Sequence, residues 1–184
     1  MRVTIRPSGA IQARIRSANA ANGWDAPTNA TERAAIVARL ALAISEVAEA
    51  IEVVRTPPAD DAHLAEEMAD VVIRLLDLGA GLGIEVLDGS PPGSGVPGGF
   101  DASSVDGLVA ALGVVASTIG HLLDAFAVTP LIPLSPGVIA RGLAAPCVLV
   151  EGLAAAVGLD LEAAIDAKIA RNVARGFRHG GRAI

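Results

Sequence analysis

Apolar residues recur at steps of three and four through one stretch of the chain: Ile36, Leu40, Ile44, Val47, Ile51 and Val54. That period predicts a helix beginning near Asn29 or Thr31 and running to about Arg55, with these residues on its core face. Pro57, Pro58 and the acidic turn Asp60-Asp61 then break the chain, and a further helix is predicted from about Ala62 to Leu82. Its buried side reads Leu64, Met68, Val72, Leu75 and Leu76, while Glu67, Asp70, Arg74 and Asp77 make a charged stripe opposite. Ahead of both, Ser8 is placed to cap a helix through IQARIRSANAAN, and Gly23 supplies its stop before the loop GWDAPTNAT.

After Val86 the segment DGSPPGSGVPGGFDASS has too few apolar residues to pack, so a flexible loop is expected at about 87–104. Two extra apolar helices are predicted at roughly Val105 to Val128 and Gly137 to Val157, separated by TPLIPLSPG, whose prolines impose an extended crossing. Asp160 can cap a last helix from Leu161 to about Arg175, which sets Lys168, Asn172 and Arg175 along one side. The expectation is a single all-α domain over 1–184, an antiparallel bundle of about five to six helices. No repeat of solenoid period is visible, although GLGIEV (Gly81 to Val86) is echoed by VGLDLE (Val157 to Glu162).

Composition sharpens this outline. The chain is 52% hydrophobic and only 2% aromatic, so its interior must be built from Ala, Val, Leu and Ile at close helix–helix distances. A net charge of -6 leaves no broad basic face to release counterions from a nucleic-acid backbone, so no nucleic-acid partner is expected and any bound phosphate is small. Cys147 is the single cysteine and lies in the apolar run AAPCVLVEGL, where a buried thiol is expected. The clean apolar run from Leu108 ends before His121, and the next is broken by Arg141, Pro146 and Glu151. Both fall short of the roughly 20 residues of a span, so no membrane partner is expected. The start MRVTIRPSGA has no signal-peptide core, and the expected location is cytoplasmic.

The chemistry is carried by two matched pairs of acids, Glu46 with Glu49 and Glu67 with Asp70. Each pair is spaced i, i+3 on a predicted helix, so each sets two oxygen ligands side by side on one face. If the two helices lie together the acids converge, and hard oxygen ligands without thiolate or imidazole suit Mg²⁺, with Mn²⁺ as the alternative. The bland reading is a solvated face with i, i+4 pairs such as Asp70 with Arg74. His63, His121 and His179 show no metal-ligand spacing and are expected in loops or on the surface. The oxygen-activating di-iron or di-manganese bundles need Glu-x-x-His pairs, and neither Glu46 nor Glu67 has a histidine three residues on.

The runs GWD, LALAISEVAEAIEVVR, EEMADVVIRLLDLGAGLGI and GLDLEAAIDAKIARNVARGFRHGGRAI together resemble the MazG-like all-α nucleoside triphosphate pyrophosphohydrolases, which include dimeric dUTPases and dCTP pyrophosphatases. The likeness covers about half of the chain and rests on Glu46-x-x-Glu49 followed by Glu67-x-x-Asp70, with the Lys168/Asn172 helix and the terminal RHGGR behind them. It implies a nucleotide as small-molecule partner, hydrolysed between the α and β phosphates to a monophosphate and pyrophosphate, with Mg²⁺ held by Glu46, Glu49, Glu67 and Asp70. It further implies that Lys168 and Asn172 contact phosphates or metal-bound groups, that Arg175, Arg178, His179 and Arg182 add to the phosphate site, and that Asn19, Asn22 and Trp24 hold the base or ribose. Glu66 is a candidate general base or a solvent-facing residue, and Ser45 stands where some members carry a further glutamate. A homodimer or higher homo-oligomer is implied too, with the helices at about 105–157 as an insertion. The alternatives are a phosphoribosyl-ATP pyrophosphohydrolase and a non-catalytic helical oligomer.

Overall fold

The computed structural model describes residues 8–58, 60–86, 95–128 and 134–174. These form six helices and a short 3-10 turn: α1 (Ser8–Ala21), α2 (Arg33–Arg55), α3 (Asp61–Gly81), the turn at Pro97–Gly99, α4 (Val105–Val128), α5 (Pro136–Ala156) and α6 (Leu161–Ala174). The all-α bundle expected from the sequence is what is observed.

The helix ends follow local chemistry. Asp60 Oδ1 accepts from the His63 amide at 2.9 Å to start α3, and Asp160 Oδ1 accepts from the Ala163 amide at 3.0 Å to start α6. Ser135 and Pro136 open α5, the serine side chain accepting from the Val138 amide. Helix α2 begins later than its apolar period suggests because Asn29 and Thr31 form a turn: Asn29 Oδ1 accepts from the Thr31 amide at 3.0 Å. Glu32 then reaches back to accept from the Thr28 amide at 2.9 Å, and that bond holds its carboxyl below the ordinary range.

The echo between GLGIEV and VGLDLE has a plain physical content. Gly83 and Gly158 take φ of 68° and 77°, each closing a helix end where the following residue's amide reaches back five residues, Ile84 to Gly79 at 2.8 Å and Leu159 to Ala154 at 2.9 Å. This is the Schellman stop, which favours glycine. The repeat is one of helix termination.

Helix α3 is the centre of the bundle and packs on α1, α2, α5 and α6, while α2 lies between α3 and α4. A helix covered on several sides is buried nearly all round. The charged stripe of α3 is therefore partly inside: Glu67 and Asp77 are 6% exposed, Glu67 beside the acids of α2 and Asp77 against Arg16 of α1. The seam of α2 is also corrected. Ile36, Leu40 and Val47 are buried as expected, but Ala43, Ala50 and Val53 complete the buried row, and Ile44, Ile51 and Val54 are only partly buried. Covered by α3 on one side and α4 on the other, α2 uses its alanines for the closest approach. Glu46, 5% exposed, is drawn in with them.

The pair α4 and α5 continues the bundle. Arg33 at the head of α2 donates to the Phe126 carbonyl near the end of α4, which sets the two helices antiparallel. Contrary to the expectation that their apolar runs are too short, both α4 and α5 are long and apolar enough to cross a membrane by length and composition alone, and the share of the apolar stretch buried against the rest of the protein is 28% for α4 and 56% for α5. Residues 87–94 of the expected flexible loop lie outside the described residues. The rest of it is folded: Pro97 is buried, the 3-10 turn packs on α4 and α5, and Asp101 Oδ1 accepts from the Ser103 amide and hydroxyl. Cys147 is buried, as expected, and burial pushes its thiol up, out of reach of ionisation at neutral pH.

Candidate metal centre

The short turn between α2 and α3 makes them an antiparallel pair, and this brings the two acidic motifs face to face. Carboxylate oxygens of Glu46, Glu49 and Glu67 all lie within 4.8 Å of one another. Glu46 and Glu67 are buried while Glu49 is exposed, so the cluster has an apolar floor and a wet rim. Burial first, and then the charges of Asp70, Glu49 and Glu46, raise the Glu67 carboxyl above its ordinary value. Oxygens bound to one Mg²⁺ at about 2.1 Å sit roughly 3 to 4 Å apart. The all-oxygen set therefore fits a hard divalent ion after small side-chain rotations.

Glu46, Glu67 and Asp70 each have a side-chain partner. Glu46 Oε1 accepts from Arg74 Nε at 2.6 Å across the α2–α3 contact, and Glu67 Oε1 is 2.9 Å from His63 Nε2 one turn back on α3. Asp70 stands beside the cluster rather than within it, its Oδ2 2.5 Å from Lys168 Nζ on α6. The i, i+4 pairing of Asp70 with Arg74 is thus not what forms; both partners reach across to other helices. Burial raises the Asp70 carboxyl above its ordinary value, against the pull of Lys168. For Lys168 itself, burial works downward but the hydrogen bonds to Asp70 and Glu66 prevail and raise it.

Glu66 is neither free for proton abstraction nor simply facing solvent. Its Oε1 is 2.7 Å from Lys168 Nζ and its Oε2 2.9 Å from an Arg171 nitrogen, and the Lys168 bond in particular holds its carboxyl below the usual range. Ser45 donates to the Leu42 carbonyl at 2.7 Å, a bond within its own helix. His63 is exposed, as expected, but it lies in the first turn of α3, where its i, i+4 spacing brings it to Glu67 and links the cluster to a cleft lined by Val53, Thr56, Pro57, Asp60 and Asp61.

Counting the charges gives the site a sign. The carboxylates of Glu46, Glu49, Glu66, Glu67 and Asp70 face the permanent cations Arg74, Lys168 and Arg171. Counting all five carboxylates as ionised, against these three cations the deficit is two positive charges, the charge of one divalent ion.

A basic layer continues from Arg74 away from the cleft. Asp77, one turn on, accepts from Arg16 Nη1 at 2.9 Å, and Arg16 Nη2 donates to the Trp24 carbonyl at 2.7 Å. Burial raises the Asp77 carboxyl, opposed by Arg16, an Asn19 hydrogen bond and Arg39. Arg39 donates to the Asp25 carbonyl, so two arginines hold the Trp24–Asp25 loop. Asn19 thus sits beside Asp77, and Trp24 is partly buried at the end of this chain of contacts. Asn22 is 3% exposed and donates to the Asn172 carbonyl at 2.5 Å; its amide fastens α1 to α6 and presents no exposed edge for reading a base. Arg175, Arg178, His179 and Arg182 lie outside the described residues.

Comparison with protein-family models, with curated proteins and with solved structures finds no match to this chain.

Proposed function

We propose that this protein is a metal-dependent hydrolase of nucleoside triphosphates that cleaves between the α and β phosphates, as the sequence resemblance to the MazG-like enzymes implies. The observation that carries the reading is the convergence of Glu46, Glu49 and Glu67 from two helices, with Asp70 and Lys168 at their edge. A bound divalent ion supplies charge neutralisation on the phosphates and a more acidic water. The chain's own part is placement: Glu46, Glu49, Glu67 and Asp70 hold the ion, and Lys168 and Arg171 present positive charge to the phosphate oxygens. By the resemblance, the nucleoside would lie on the Trp24 side, with the phosphates at the acids.

The test is a panel of ribo-, deoxyribo- and oxidised nucleoside triphosphates incubated with Mg²⁺ or Mn²⁺, with products resolved by chromatography. Equal release of monophosphate and pyrophosphate, abolished by a chelator, is the expected outcome; release of orthophosphate, or no turnover of any nucleotide, would sink the reading. The working form in this reading is a homodimer, supported by the weakly buried apolar length of α4. Light scattering of the active protein is expected to give twice the chain mass of 18.4 kDa, and a monomer would overturn that part alone.

A further inference from the structure

We propose that Lys168 is a resident counter-ion which Asp70 exchanges for the metal, so that the fourth acid joins the site only as the ion arrives. The inference rests on the metal reading above and adds to it how the site is kept in its ion-free state. Asp70 follows Glu67 at i, i+3 and shares its helix face, yet the carboxylates that converge are those of Glu46, Glu49 and Glu67, while Asp70 Oδ2 is held 2.5 Å from Lys168 Nζ. The lysine is 8% exposed, and a buried ammonium needs compensation wherever it stands. Glu66 provides a second anchor at 2.7 Å and is itself fixed through its other oxygen by Arg171. Lys168 therefore has one partner committed to holding it and one that can be given up. Release of Asp70 leaves the ammonium paired with Glu66 at the rim, which is also where the phosphates of a bound nucleotide would meet it.

Such an exchange has a measurable consequence. The ammonium competes with the ion for Asp70 and repels it at short range, so removing the ammonium must tighten metal binding. Calorimetric and electron-paramagnetic titration with Mn²⁺ alone, without nucleotide, is the experiment, carried out on the wild-type protein, Lys168→Met, Asp70→Asn and the double variant. Lys168→Met is expected to bind Mn²⁺ about tenfold or more tightly than wild type, and the gain is expected to shrink markedly in the Asp70→Asn background, because the exchange needs both partners. Lys168→Gln carries the same expectation and serves where the methionine variant does not fold. Unchanged or weaker Mn²⁺ binding in both lysine variants overturns the exchange and leaves the metal reading standing. So does a gain of the same size with and without Asp70, which is repulsion without exchange. Absence of Mn²⁺ binding in all the proteins removes the metal reading and the exchange with it.

Discussion

Replacing Glu67 by glutamine is expected to reduce pyrophosphate release by about a thousandfold or more while leaving the metal-free protein as stable as the wild type, or slightly more so. The two effects have opposite signs because they act on one carboxylate in two states. Without an ion, Glu67 is buried among like charges and its carboxyl is raised above the ordinary glutamate value. An acid with a raised folded value binds its proton more tightly in the native state than in the unfolded chain, so stability falls as pH rises from the ordinary glutamate range through the raised value. Above that window the penalty is complete. Glutamine removes the penalty, and its amide still meets His63, which is 2.9 Å from the native carboxylate. In the proposed metal site the same carboxylate would be a ligand, and its loss would not be replaced. Thermal melting separates the states: Mg²⁺ at about a hundred times its dissociation constant adds about 2.7 kcal/mol, or roughly 5 to 10 °C for a chain of this size. The wild type is expected to show that shift and Glu67→Gln to show none. A variant that keeps both the shift and the turnover would remove Glu67 from the site.

How much of this was legible in the chain depends on the range of the interaction concerned. The stop at Gly23 and the start at Asp160 were readable because each acts on residues a few positions away, whereas the echo of GLGIEV in VGLDLE was visible without its meaning as a pair of helix stops at Gly83 and Gly158. The i, i+3 acids were readable for the same reason, since spacing fixes a helix face whatever else the fold does. What the spacing could not say is which face would be covered. Glu46 reads as lying off the apolar seam of α2, yet it is 5% exposed and bonded to Arg74 of α3. The choice of cation for each acid is still less local: Asp70 has Arg74 four residues on, but its partner is Lys168 on α6. Asn22 shows the reverse limit. Its position near Trp24 resembles a nucleoside contact, whereas its burial against the Asn172 carbonyl is a packing fact that no neighbouring residue signals.

The second large effect expected is on stability, at the pair behind the acidic cluster. Asp77 is 6% exposed and pairs with Arg16 at 2.9 Å, so Asp77→Ala strands the Arg16 guanidinium in a covered layer. Loss of one member of a buried ion pair costs about 3 kcal/mol or more, a large part of a total that runs from about 5 to 15 kcal/mol in domains. Yet the pair itself is no source of stability: burial wins over Arg16 and raises the Asp77 carboxyl, so the ionised form is held in the fold at a cost that grows as pH rises above the ordinary aspartate range. The two statements are compatible, because stranding a charge and forming a pair are different comparisons. They lead to a specific result in urea unfolding at neutral pH. Asp77→Ala loses about 3 kcal/mol, whereas Asp77→Leu combined with Arg16→Met falls within about 1 kcal/mol of the wild type, since both charges leave together. The pair has another reason to be there. Arg16 donates to the Trp24 carbonyl, and the double variant, though stable, gives up that hold on the loop. In the nucleotide reading its KM is expected to rise several-fold with kcat little changed, which is the signature of lost binding rather than lost chemistry. Equal destabilisation in the single and double variants would show instead that the layer is held by packing and that the charges are incidental to it.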